Sequence, residues 1–362
     1  MNGSKGGDGE MSGFEYKNGK KTEYRRKSEE ILDELPSFCR TYERGIEGTV
    51  SALTMYEYLQ RLRIFFRYLS EESPRFSGKP PEDFECSDLD ALLPEDVEDF
   101  THFLRIGGAS GGSENKETSV NHYLCALNSL LDYLLSHGRI GRNAAKSVKR
   151  GKRRRREPIV LEADDEAGFF RSVVYGANLS AKTNACRNEA VIARDYAICL
   201  TLIRTGLRVS ELVGLDEDDA DMIECRFRVN RKGDKIDDVY FSDKVRDALE
   251  DYLAVRRAFD PKSDEKAMFL VSVGKHKGKR LSVRSVQLLV KKYALAGMSS
   301  EGSKITPHKM RSTYATNLLR ASGADLTLVQ EALSHESPST TSIYLRKRSQ
   351  DLKNARNVID GE

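Results

Sequence analysis

The first half of the chain is dominated by apolar residues that recur every three or four positions. In residues 49–73 this period runs through seven side chains: Leu53, Tyr56, Leu59, Leu62, Phe65, Phe66 and Leu69. Such spacing indicates an amphipathic helix. Similar patterns in residues 28–45, 87–107 and 113–138 predict three more helices, with caps near Pro94 and at Gly138. Residues 22–148 are therefore expected to form one helical domain.

The second half combines helical periodicity with one alternating stretch. Helices are predicted in residues 166–176, 187–216, 242–259, 282–297, 306–323 and 325–334. Between residues 225 and 243, apolar positions alternate on both sides of a Lys-Gly-Asp turn. This pattern predicts a hairpin or a small three-stranded sheet. The expected fold class is mainly α with a small β-sheet.

Composition excludes several classes of protein. At 362 residues the chain is long enough for two domains. It has no apolar run of membrane-spanning length and no apolar signal core near its start, so a cytoplasmic protein is expected. The 6 cysteines are scattered without CxxC spacing, which favours reduced thiols over a disulfide frame or a zinc site. Residues 1–21 are rich in Gly, Lys and Ser and are expected to be disordered.

Positive charge is concentrated between the two expected domains, although the net charge is only +3. Residues 149–157 lack an apolar period and are predicted to be a linker. Its cations are Lys149, Arg150, Lys152, Arg153, Arg154, Arg155 and Arg156. A linker that lies along a phosphate backbone would have this composition, because each neutralised phosphate releases counterions. A solvated charge run or a targeting signal is the alternative.

Five short motifs in the second half carry candidate chemistry. The stretch "HKMRSTYATNLL" places His308 and Arg311 three residues apart, on one face of a predicted helix. The other motifs, "TGLRVSEL", "RKGDK", "LSHES" and "SPSTTSIYLR", supply Arg208, Lys232, His335 and Tyr344. Each residue by itself has an ordinary explanation, such as a cation at a helix end or a lysine in a turn.

Together, in this order, the motifs resemble the signature of the tyrosine recombinase (phage integrase) family, most closely its Xer-like bacterial branch. The signature is Arg, Lys, His-x-x-Arg, His or Trp, and Tyr. It is filled by Arg208, Lys232, His308, Arg311, His335 and Tyr344. The family lysine sits in a Gly-Lys-Gly turn, whereas Arg231 precedes Lys232 here, and Lys235 is an alternative to Lys232. The resemblance extends from about residue 22 to the end of the chain.

The resemblance implies a two-domain architecture. Residues 22–148 would be a helical core-binding (SAM-like) domain, and residues 158–348 the catalytic domain. The two would clamp duplex DNA, with the basic linker between them. Four protomers on two sites, a dimer per site, would exchange strands through a Holliday junction, and the tail 349–362 would pack on a neighbouring subunit.

The implied chemistry is phosphoryl transfer through a 3′-phosphotyrosine. Tyr344 would attack the scissile phosphate, Arg208 and Arg311 would grip its nonbridging oxygens, and His335 would donate a further hydrogen bond. His308 would act as the base, and Lys232 would protonate the departing 5′ oxygen. Because the phosphotyrosine conserves the bond energy, no ATP, metal or other cofactor is expected.

The sequence alone leaves other functions open. A type IB topoisomerase uses the same chemistry to relax supercoils, and a non-catalytic DNA-binding protein would not require Tyr344. Among recombinases, integration or excision of a mobile element competes with dimer resolution. The sequence specifies neither the DNA target nor a partner recombinase or accessory protein.

Overall fold

The chain divides into two units, each with its own hydrophobic core. The computed structural model describes residues 12–108, 117–151, 159–231, 235–262, 265–298, 302–322 and 326–333. The first unit comprises residues 17–155, and the second comprises residues 156–362 together with residues 1–16. The division between Arg155 and Arg156 falls within the predicted basic linker.

Six helices lie in the described part of the chain before residue 137. They are α1 (Ser12–Leu32), α2 (Phe38–Ile46), α3 (Ala52–Glu71), α4 (Cys86–Asp90), α5 (Pro94–Arg105) and α6 (Glu117–Ser136). Their apolar faces enclose an aromatic core, in which the ring of Phe65 lies 5.0 Å from that of Phe100 and 5.4 Å from that of Phe66. The stripe predicted in residues 49–73 is buried on α3, apart from Leu53 and Tyr56.

Two details differ from the sequence-based expectation. Helix α1 begins at Ser12, inside the segment 1–21 that was predicted to be disordered. Glu23 forms ion pairs with Lys20 and Lys27, one helical turn to either side, and such pairs stabilise an exposed helix. The helical pattern over residues 28–45 is also interrupted between α1 and α2. Pro36 lies in this interruption, because proline lacks the N–H that a continuous helix requires.

The second unit consists of helices and one small antiparallel sheet. The helices are α7 (Ala163–Tyr175), α8 (Ala181–Ala185), α9 (Glu189–Thr205), α10 (Val209–Gly214), α11 (Asp243–Val255), α12 (Val283–Gly297), α13 (Pro307–Ala321) and α14 (Leu326–Leu333). The strands are β1 (Ala220–Asp221), β2 (Arg226–Asn230) and β3 (Ile236–Tyr240), in the order β1-β2-β3. The predicted fold class, mainly α with a small sheet, is confirmed.

Helix α9 is the centre of the second unit. It contacts α7, α11 and α13, and twelve of its seventeen residues are buried. One face of the sheet joins the same core through Phe227, which pairs with Val239 across the strands and lies 4.5 Å from the ring of Phe241. Within the described ranges, no helix contains a stretch long and apolar enough to cross a lipid bilayer.

Candidate functional site

Gly206 determines where Arg208 lies. Helix α9 ends at Thr205, and Gly206 follows it in the left-handed conformation, with a φ of 64°. A Cβ atom on this residue would lie 2.4 Å from Cδ1 of Tyr314, so the turn requires glycine for both conformation and space. The turn leaves Arg208 at the N-terminal cap of α10.

Glu211 fixes the side chain of Arg208. Its carboxylate accepts a hydrogen bond of 2.7 Å from the backbone N–H of Arg208 and another of 2.7 Å from Nη1. The Glu211 side chain is only 5% exposed, whereas 38% of the Arg208 side chain remains exposed. The Arg208 guanidinium is therefore held at one edge and open to an external anion elsewhere.

Arg311, on α13, links the ends of two other helices. The residue is 3% exposed. It donates from Nη1 to the carbonyl oxygen of Gly206 and from Nη2 to that of Leu333, the last residue of α14. Carbonyls at helix C-termini lack helical partners, and the helix dipole there favours a cation. Arg311 is thereby placed beside the turn that carries Arg208.

His308 lies one turn before Arg311, in the first turn of a helix capped by Thr306. The residue as a whole is exposed to solvent. Partial burial nevertheless lowers its pKa, and so do the neighbouring cations Lys309, Arg311 and Arg208. A lowered pKa favours the neutral imidazole, which is the form that can accept a proton. The structure thus brings Arg208, His308 and Arg311 into one cluster.

Two charged residues of this cluster were missed by the sequence-based prediction. Glu211 binds Arg208, and it also lies 3.2 Å from Nη1 of Arg231. Glu211 had a sequence signal, since an acidic residue at the third position of a helix is typical of N-terminal capping. Arg231 had no such sequence signal, because its burial depends on Glu211, which lies 20 residues away in the sequence.

The other predicted catalytic residues, Lys232, His335 and Tyr344, lie outside the described residues. Their assignment stays a prediction. The alternative lysine, Lys235, is described and exposed, and its carbonyl oxygen accepts a 2.7 Å hydrogen bond from the backbone N–H of Arg231.

The basic linker is described only in part. Lys149 and Arg150 are exposed to solvent. Lys152 and Arg153, Arg154, Arg155 and Arg156 lie outside the described residues. Contact between this linker and DNA therefore stays a prediction.

The cluster has the chemistry of a phosphate site. Guanidiniums can donate paired hydrogen bonds to nonbridging phosphate oxygens, and a neutral imidazole can take up a proton during the reaction. Across the described ranges, no group of three or more His, Cys, Asp or Glu side chains is arranged to hold a metal ion.

Comparison with known proteins places the chain in a family. Residues 173–351 match the model of the phage integrase family. The tyrosine recombinase XerC of Caldanaerobacter subterraneus subsp. tengcongensis is 30% identical over 329 residues, which cover 90% of this chain and 86% of that protein. The tyrosine recombinase XerS of Streptococcus pyogenes serotype M1 is 32% identical over 348 residues, which cover 87% of this chain and 92% of that protein.

A solved structure agrees on the fold. The XerH site-specific recombinase bound to a palindromic difH substrate, in a post-cleavage complex, matches with a TM-score of 0.63. The match covers 93% of this chain and 89% of that one, at 21% sequence identity. The similarity to XerC and XerS over most of the chain confirms the predicted family: this protein belongs to the phage integrase family, as a Xer-like tyrosine recombinase.

Proposed function

We propose that this recombinase cuts and rejoins duplex DNA at specific sites through a 3′-phosphotyrosine on Tyr344. The hydroxyl oxygen of Tyr344 attacks the scissile phosphorus, and the bond to the 5′ oxygen of the next nucleotide breaks. His308 takes the proton of the attacking hydroxyl, and Lys232 supplies one to the departing oxygen. The 5′ hydroxyl of another strand then reverses these steps and rejoins the DNA.

The single observation that carries this proposal is the convergence of Arg208 and Arg311 at the Gly206 turn. A phosphoryl-transfer transition state spreads negative charge over its equatorial oxygens, and two fixed guanidiniums stabilise that charge without having to reorganise. His335 follows the end of α14 by two residues and would add a further hydrogen bond to the same phosphate.

The assembly belongs to the same proposal. Four protomers would hold two DNA sites, with a dimer on each, and exchange strands in pairs through a Holliday junction in the cytoplasm. The solved complex of XerH with difH supports a double-stranded DNA partner. A structure of a lambda integrase dimer bound to a COC′ core site supports it too, with a TM-score of 0.59 at 15% identity. Mobile-element integration or excision and dimer resolution both use this reaction.

A nicked suicide substrate tests the nucleophile. Wild-type protein should become covalently attached to such DNA and migrate with it on a denaturing gel. Tyr344→Phe should bind the same DNA without forming the adduct, because only the hydroxyl carries the reacting oxygen. An adduct that persists in Tyr344→Phe would move the nucleophile to another residue.

Plasmid substrates test the reaction class. A recombinase should generate Holliday junctions and exchanged products from plasmids with two matching sites, and leave a plasmid without a site supercoiled. Rapid relaxation of the plasmid without a site would instead identify a type IB topoisomerase activity.

A further inference from the structure

Arg231 connects the sheet of the second unit to the helix that Arg208 caps. Its backbone N–H donates to the carbonyl oxygen of Lys235 at 2.7 Å, directly beyond the last paired residues of β2 and β3. Its side chain is 6% exposed, and Nε lies 3.1 Å from Oδ2 of Asp237 on β3. Backbone and side chain therefore both hold Arg231 on the sheet, and Nη1 is directed to the other side of the guanidinium.

On that other side lies the carboxylate that fixes Arg208. Nη1 of Arg231 is 3.2 Å from Oε2 of Glu211, the oxygen that also accepts the backbone N–H of Arg208 at 2.7 Å. Oε1 of Glu211 accepts from Nη1 of Arg208 at 2.7 Å. The side chain of Arg231 is 6% exposed and that of Glu211 is 5% exposed, so water screens their attraction little. One buried carboxylate thus joins two guanidiniums, of which only that of Arg208 is open to solvent.

A buried carboxylate beside Arg208 also competes with a bound phosphate for the charge of that arginine. Attraction between opposite charges is strong where water is excluded, so Glu211 alone would draw the guanidinium of Arg208 towards itself. Arg231 supplies a second positive charge to the same carboxylate, and its planar fork restricts how that carboxylate can turn. Arg208 can then use Glu211 for orientation and keep its other edge for an external anion.

We propose that Arg231 is a positioning residue that orients Glu211 and, through Glu211, the guanidinium of Arg208 towards the scissile phosphate. The inference rests on the proposed function, in which Arg208 binds the nonbridging oxygens. Fixed donors stabilise the transition-state charge without reorganising, and a misplacement of about 1 Å can slow a reaction by roughly a hundredfold. Because Arg231 is itself buried, its effect on the DNA passes through Arg208.

A double-mutant cycle on single-turnover cleavage tests this dependence. Arg231→Ala should cleave a nicked suicide substrate roughly tenfold or more slowly than wild type, at protein concentrations that saturate DNA binding. In a protein that already carries Arg208→Ala, the same change should cause no further loss, because the residue through which Arg231 acts is gone.

Arg226→Ala is the matched control for the loss of a paired arginine from this sheet. Arg226 also belongs to β2 and pairs with two carboxylates, those of Asp221 and Asp238, rather than with Glu211. This variant should cleave within about twofold of wild type. Its effect, if any, should be the same with and without Arg208→Ala.

DNA with a 5′-bridging sulfur separates this role from proton donation. The sulfur departs as a thiolate and needs no proton, so this substrate bypasses a defect in the general acid. Arg231→Ala should stay slow on it, as Arg208→Ala should, because both variants lack charge stabilisation at the nonbridging oxygens. Recovery of Arg231→Ala to the wild-type rate on this DNA would move its effect to the general acid and overturn the inference.

Other outcomes would overturn it as well. A wild-type rate in Arg231→Ala would remove any role, and a loss that adds in full to that of Arg208→Ala would show that the effect does not pass through Arg208. Both results leave the proposed function intact, whereas a wild-type rate in Arg208→Ala would contradict both. Arg231→Lys takes the place of an alanine variant that does not fold. It keeps the charge but loses the planar fork, so the same slowing and the same lack of additivity are expected, and a wild-type rate would again overturn the inference.

Discussion

Arg311 donates a hydrogen bond to the carbonyl oxygen of Gly206, which follows the end of α9 and lies two positions before Arg208. The two bonded residues are 105 positions apart in the sequence. This bond ties the His-x-x-Arg motif to the first arginine motif. Arg311 also has a structural role, because the same guanidinium donates a hydrogen bond to the carbonyl oxygen of Leu333 at the end of α14.

Arg208→Ala and Arg311→Ala should each slow cleavage by about a hundredfold or more, because each variant loses one contact to the negative charge of the transition state. The two variants should differ in stability. Arg311→Ala leaves buried carbonyls at Gly206 and Leu333 without this donor, which is expected to lower the free energy of unfolding by about 1–3 kcal/mol. Arg208→Ala should lower it less, since much of that side chain is exposed and Glu211 keeps Arg231 as a partner.

Single-turnover cleavage and urea denaturation measure these two effects. Arg204→Ala is a matched control, because Arg204 lies in the last turn of α9 and pairs with Glu166 instead of contacting the cluster. It should cleave within about twofold of wild type. Cleavage at the wild-type rate by Arg208→Ala or Arg311→Ala would contradict the role of that residue.

The lowered pKa of His308 predicts a pH dependence for cleavage. A base must be unprotonated, so the rate should fall when His308 takes up a proton. Because burial and the neighbouring cations lower its pKa, this fall should lie below the usual histidine value of 6.5. The rate at limiting protein concentration, measured between pH 5 and 8, reports the groups of the free enzyme. His308→Gln should lose this acidic limb, whereas the exposed His276→Gln should keep it. An unchanged profile in His308→Gln would assign the base elsewhere.

The catalytic lysine can be identified by comparing two single variants. Lys232→Ala should lose much more cleavage activity than Lys235→Ala, because Lys232 is the lysine that matches the family signature, whereas the carbonyl of Lys235 accepts the backbone hydrogen bond of Arg231. Cleavage rates on ordinary DNA and on DNA with a 5′-bridging sulfur provide the measurement. A larger, sulfur-rescued loss at Lys235 would reverse the assignment.

The basic linker is expected to bind phosphates without reading sequence. Changing Arg153, Arg154, Arg155 and Arg156 to Gln should weaken binding to specific and nonspecific duplexes alike. The slope of log K against log salt should decrease by up to about 0.9 per lost phosphate contact. Cleavage at saturating protein should change much less, because the Arg208 cluster is untouched.

The matched control changes the same four arginines to lysine, which keeps the charge and should therefore keep the salt slope. A Gln variant with the wild-type slope would leave the linker as a solvated charge run or a targeting signal.

Much of the fold followed from local pattern. The apolar stripe of α3, the helical period of residues 306–323 and the alternation of residues 225–243 are properties of neighbouring residues, so the sequence alone predicted these elements. The family was likewise predictable from the sequence, because its signature lies in the types and order of a few residues along the chain. The start of α1 at Ser12 was missed, because polar i,i+4 ion pairs leave no apolar stripe to detect.

The arrangement of the site was decided by tertiary structure. The sequence determined that Arg208, His308 and Arg311 are present, but their distances depend on where α9, α10 and α13 pack. The bridge from Glu211 to Arg231 was equally invisible in the sequence, since a charged residue at a strand end is usually solvated. Burial changes that outcome: once the core removes water from Arg231, only a paired carboxylate can compensate the charge, and the fold supplies Glu211 at that position.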